Sequence, residues 1–147
     1  MKEIGRRALG LDVGERRIGV AIADELGMIA SPLAMIERRR GDLAEIGDLA
    51  RTRNVDRLVI GLPTGMSGRE GPQAATVRAF ATELMAVIDP ELRIEFWDER
   101  LTTAVAERAL RDQGRKRNRR KGEVDAMAAA VILQGYLDRN RERSLTR

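Results

Sequence analysis

Ala8-Leu9-Gly10-Leu11-Asp12-Val13 closes on Gly14, and after Glu15-Arg16-Arg17 comes Ile18-Gly19-Val20-Ala21-Ile22-Ala23. Two short aliphatic runs joined by a glycine-bearing turn predict an antiparallel pair of strands. Met28 to Ile36, interrupted by Pro32, extends the pair into a meander. Further along, Leu43, Ile46, Leu49 and Ala50 recur at helical spacing, with Asp42 as a first-turn acid. Leu58 to Leu62 shows no polar alternation, the pattern of a strand buried on both faces. A Gly/Pro-rich loop from Pro63 to Pro72 leads into a helix carrying Val77, Phe80, Ala81, Leu84 and Ile88. Ile94 to Trp97 is the next strand. Thr102 or Thr103 can cap a helix through Leu110 that ends at Gly114, and Val124 to Leu137 is the most apolar helix. The order β-β-β-α-β-α-β-α-α predicts an α/β fold: one mixed five-stranded sheet, an antiparallel meander plus two parallel strands, flanked by helices. Residues 1–140 are expected to form one domain, and 141–147 a short basic tail.

The 147 residues suit a single domain, and 43% hydrophobic content suffices for a core. There is no cysteine and no histidine. Disulfides, Cys/His zinc sites, cysteine nucleophiles, Ser–His–Asp triads and histidine bases are thereby excluded. Catalysis must run on carboxylates, hydroxyls, Lys/Arg or a metal held by oxygen. The absence of cysteine fits a reducing compartment, no stretch is apolar enough to span a membrane, and the first residues read straight into a strand; a cytoplasmic location is expected.

The net charge of +4 is modest, but its distribution is not. Between Arg108 and Lys121 stand Arg108, Arg111, Arg115, Lys116, Arg117, Arg119, Arg120 and Lys121 against Asp112 alone. Such a segment points to a polyanionic partner, with a solvated loop as the plainer reading. Aromatic residues make up only 3%, which favours recognition through phosphates and shape over base stacking.

Asp12 closes the first strand, Asp98 and Glu99 close the last, and Asp125 opens the apolar helix. Strand ends at one edge of a parallel or mixed sheet converge on one crevice, so Asp12 and Glu99 can meet if their strands are neighbours. Hard oxygen-ligated ions such as Mg²⁺ or Mn²⁺ suit a site without His or Cys, and a pair about 3.5–4 Å apart can activate water and stabilise the leaving oxygen in phosphodiester cleavage. Each acid also has a plainer reading: Asp12 as a turn former, Glu99 as the ion-pair partner of Arg100, Asp125 as an N-terminal helix charge. The loop Gly61-Leu62-Pro63-Thr64-Gly65-Met66-Ser67-Gly68-Arg69-Glu70-Gly71 can offer backbone N–H groups to a phosphate or serve as a connector, but it lacks the Lys–Ser/Thr ending of a P-loop. In the first turn, Arg16 and Arg17 can hold further phosphate oxygens.

Leu9 to Gly14 with Arg17 to Ala21, Gly61-Leu62-Pro63 with Gly68 and Glu70-Gly71, Asp98 to Thr103, and Asp125 to Ala129 followed by Ile132-Leu133-Gln134 together resemble the YqgF-type pre-16S rRNA nuclease family. The resemblance implies an RNase H-like fold related to RuvC-type Holliday-junction resolvases, and a Mg²⁺- or Mn²⁺-dependent nuclease that matures the 5′ end of 16S rRNA. It carries the catalytic and metal-binding roles onto Asp12, Glu99 and Asp125, and phosphate contact onto Arg17 and Arg100. With these, Arg115, Lys116, Arg117, Arg119, Arg120 and Lys121 form the expected nucleic-acid-binding set. The chain departs from the family pattern at Gly65-Met66-Ser67-Gly68, where Asn-Met-Asp-Gly is usual, and at Glu15, where a small or hydroxyl residue is common. The expected partner is pre-16S rRNA or a ribosomal particle, or alternatively branched DNA, with the chain a monomer or weak homodimer. A non-catalytic RNA-binding assembly or transcription factor is the reading from a different class.

Overall fold

The computed structural model describes residues 7–65, 68–101 and 121–145. Its elements are β1 (Arg7–Val13), β2 (Arg17–Ala23), β3 (Ala30–Glu37), α1 (Asp42–Thr52), β4 (Val55–Leu62), α2 (Pro72–Val87), β5 (Arg93–Asp98), a 3-10 turn (Glu99–Leu101) and α3 (Lys121–Leu145). The five strands make one sheet in the order β3-β2-β1-β4-β5. β1, β2 and β3 pair antiparallel, whereas β1–β4 and β4–β5 are parallel. This is the mixed sheet that the pattern predicts, with β1 at the seam between meander and crossovers. The helix expected from Thr102 or Thr103 to Leu110 lies outside the described residues, as does the segment Arg115 to Arg120. α3 is longer at both ends than its apolar periodicity, and continues through 141–145, the stretch read as a tail. Arg141 holds that end by donating to the Met28 carbonyl and to Asp138.

Strand alternation gives the sheet two unlike faces. Leu9, Leu11, Ile18, Val20, Leu58 and Ile60 meet Ile46 of α1 and Val77, Phe80 and Leu84 of α2. The other face presents Ala8, Ala21, Ala23, Val59 and Trp97 to Ala129, Ile132, Leu133 and Tyr136 of α3. On this side α3 rests against strand backbone. A Cβ built on Gly10 would stand 2.7 Å from Leu133 Cβ, and one on Gly19 would collide with the Asp125 carbonyl. Gly19 is the register partner of Asp12, so the close approach brings the start of α3 down beside the end of β1. Among the described residues no helix is long and apolar enough to cross a membrane.

Candidate active site

β1, β4 and β5 are parallel, so their C-terminal ends share one edge, and the β1–β2 turn returns Arg17 to that same edge. Alternation sets the direction of each side chain. Ala8, Gly10 and Asp12 are in phase, as are Arg17, Gly19 and Ala21, and Trp97 and Glu99. All three series face α3, which carries Asp125.

The condition set for Asp12 and Glu99 to meet, that their strands be neighbours, is not met by the sheet order: β4 lies between β1 and β5. Glu99 nevertheless reaches Asp12, because it crosses β4 at a residue with no side chain. A Cβ on Gly61 would sit 3.0 Å from Glu99 Oε2 and 2.6 Å from Ile132 Cδ1. The sequence reading placed Gly61 in the strand Leu58 to Leu62 and at the head of the glycine-rich loop, but assigned it no part in the site. The available signal was a glycine interrupting the aliphatic run Leu58-Val59-Ile60 inside a strand, a mark of close approach.

The electrostatics follow from this packing. Burial, then the charge of Asp125, pushes the Asp12 carboxyl up to about 6. Burial, then the charges of Asp12 and Asp98, pushes Glu99 up to about 6. Asp98 goes the other way, to about 2, chiefly through its hydrogen bonds with Arg100. Asp125 accepts a hydrogen bond from Arg17 Nε at 2.8 Å, so the arginine expected at a phosphate is engaged with one of the expected acids. Arg100 pairs with Asp98 at 2.7 Å, in place of the Glu99–Arg100 pairing read from adjacency. The backbone N–H groups of Gly65 and Gly68 are spent within the loop, on the carbonyls of Arg69 and Gly65.

Asp12 is the common neighbour of Glu99 on one side and Asp125 on the other. Among the described residues no hydrogen-bond donor reaches Asp12 or Glu99, and two half-buried carboxyls whose pKa desolvation and repulsion raise have the character of a site for a hard cation. No three acids among the described residues stand close enough to clasp one ion while Asp125 is turned to Arg17. The donor set thus fits a divalent metal in chemistry, and Asp125 would complete it by leaving Arg17. A cavity of about 260 Å³ opens at this edge, lined by Asp12, Gly14, Glu15, Glu99 and, from α2, Gln73 and Thr76. The remaining members of the expected set, Arg115, Lys116, Arg117, Arg119 and Arg120, fall outside the described residues, and Lys121 is the first residue of α3.

The sequence pattern of the family described as RuvX, Holliday junction resolvase, matches residues 6–139. A protein of Moorella thermoacetica named "Putative pre-16S rRNA nuclease" is 50% identical over 135 residues, covering 90% of this chain and 95% of its own. One of Roseobacter denitrificans with the same name is 46% identical over 138 residues, covering 92% and 85%. Among solved structures, T. thermophilus RuvC in complex with a Holliday junction substrate superposes with a TM-score of 0.57 at 15% identity, over 91% of this chain and 96% of that one. The last comparison shows a shared fold.

Proposed function

This chain belongs to the RuvX family, and on that premise we propose that it is a divalent-metal-dependent endonuclease that cuts structured RNA, with 5′-end maturation of pre-16S rRNA as its reaction in the cytoplasm. The observation that carries this reading is the Asp12–Glu99 pair: two half-buried carboxyls brought together across Gly61, lining one cavity, with no donor among the described residues to neutralise them. Folding two acids together in this way is unfavourable unless a cation compensates them.

Asp12, Glu99 and Asp125 would hold Mg²⁺ or Mn²⁺. Such an ion supplies Lewis-acid stabilisation of the developing phosphate charge and lowers the pKa of an attacking water. Arg17 Nε donates to Asp125, and its guanidinium would be available to a phosphate oxygen at the same edge were Asp125 to hold an ion instead. Arg115, Lys116, Arg117, Arg119, Arg120 and Lys121 would neutralise the nucleic-acid backbone, whereas the Arg100 guanidinium, expected at a phosphate, is engaged with Asp98. The names of the 46–50% identical relatives favour RNA. The family description favours branched DNA, which is the second reading. That reading needs a dimer placing two sites across a junction.

The test is cleavage of a labelled pre-16S 5′-leader RNA and of a synthetic four-way junction, with Mn²⁺ or with EDTA, by the wild-type chain and by Asp125→Asn. The expected result is metal-dependent cutting of the RNA, lost in Asp125→Asn with binding retained. Junction cutting alone would move the substrate to DNA. Salt-sensitive RNA binding, indifferent to metal and without cutting, would replace the enzyme by a binding module.

A further inference from the structure

The end of β5 carries two adjacent acids that the fold treats in opposite ways. Glu99 is half-buried and without a donor among the described residues. Asp98 is saturated: Thr64 Oγ1 donates to its Oδ1 at 2.6 Å, the Arg100 backbone N–H to the same oxygen at 2.9 Å, and Arg100 Nε and Nη2 to Oδ2 at 2.9 and 2.7 Å. These partners come from two places. Thr64 lies just beyond β4 and bridges to Glu70 across the loop. Arg100 is in the turn that follows Glu99, and its guanidinium lies against Gly68, where a Cβ would stand 3.2 Å from Nη1. Gly68 has φ +83°, which a glycine adopts without strain.

Leu62 is the register partner of Asp98, so Thr64 continues the phase of the strand face that Asp98 occupies, the face opposite to Glu99. Glu99, which opens the 3-10 turn, lies on the other face, where a Cβ on Gly61 would stand 3.0 Å from its Oε2. Tying Asp98 to Thr64 on one side therefore sends Glu99 over Gly61 on the other, and the Arg100 bonds hold the turn that keeps it there. We infer that Thr64, Asp98 and Arg100 form a positioning clasp that aims Glu99 across β4 at Asp12, with Asp98 itself binding neither cation nor substrate. The inference rests on the nuclease reading of the Asp12–Glu99 pair and assigns the work of the acid next to it.

The experiment uses the full chain with Mn²⁺ alone as the calorimetric probe, and then steady-state cleavage of the RNA. Thr64→Val removes one hydroxyl at nearly constant volume, Thr64→Ser restores it, and Arg100→Lys keeps the charge while losing the two-pronged contact. The clasp requires Thr64→Val and Arg100→Lys each to weaken Mn²⁺ binding and lower kcat by about tenfold or more, the range seen for groups that orient metal ligands, with KM for RNA unchanged. Thr64→Ser should recover both. Wild-type values in Thr64→Val, or a raised KM with intact kcat in Arg100→Lys, would overturn the clasp and make Arg100 a substrate contact. A wild-type chain that neither binds Mn²⁺ nor cuts would instead overturn the nuclease reading, and the clasp with it.

Discussion

The two faces of the sheet are built from different residues for different ends. The face under α1 and α2 is aliphatic and bulky, with Leu9, Leu11, Ile18, Val20, Leu58 and Ile60 all fully buried. The face under α3 is made of alanine and glycine at the equivalent positions of β1 and β2. Each buried Leu, Ile or Val contributes about 1.5–3 kcal/mol relative to exposure, and alanine far less, so the second face gives up hydrophobic stabilisation. What it gains is proximity. A helix lying on bare backbone brings Asp125 beside Asp12, and a bare position on β4 lets Glu99 cross. One face holds the fold, and the other gives up packing to gather charges that repel.

Breaking each face should therefore give opposite ratios of stability loss to functional loss. Leu84→Ala, on α2, should cost about 2–5 kcal/mol in urea unfolding while the folded fraction cuts at the wild-type rate. Gly61→Ala should cost less, within the about 1–3 kcal/mol of overpacking, yet abolish cutting, because the new methyl group occupies the path of Glu99. Equal functional loss in the two variants would erase the distinction between the faces.

The smallest effect is in pH. Asp12 and Glu99 keep protons up to about 6 in the folded chain, against ordinary values of 3.8 and 4.5. The folded state thus binds more protons than the unfolded one in that interval, and without metal its stability falls as pH rises from about 4 to about 6. Asp98, held down at about 2, contributes in the opposite sense: its stabilisation is present above 3.8 and is lost as pH falls towards 2. Urea unfolding at pH 4 and pH 7 should show the first trend in EDTA and a flatter profile with Mn²⁺.

Much of this was legible in the chain. The strand runs around Gly14, the unalternating Leu58 to Leu62 and the helical spacing of Val77, Phe80 and Leu84 are local signals, and each became the element expected. Asp12 was visible because it closes the first strand ahead of Gly14, and Asp125 because it is the odd acid at the start of an apolar helix. The route by which Glu99 reaches Asp12 was not, since it depends on β4 being inserted between β1 and β5, a pairing that no local pattern encodes. The same holds for Arg100. Adjacency offers it Glu99, but the turn after β5 folds its side chain back onto Asp98, on the opposite face. The length of α3 was also underread, because its last turns are polar and are held by Arg141 contacts with Met28 and Asp138 rather than by apolar burial.

The central claim is that Asp12 and Glu99 are folded together at a cost to stability in order to receive a cation. Thermal unfolding of the wild-type chain and of Asp12→Asn at pH 7, each in EDTA and in Mn²⁺, tests it most directly. The expected result is a variant at least as stable as wild type in EDTA, since a half-buried repelling charge is gone, and a midpoint that Mn²⁺ raises in wild type alone. A variant that is less stable in EDTA and still stabilised by Mn²⁺ would contradict the account.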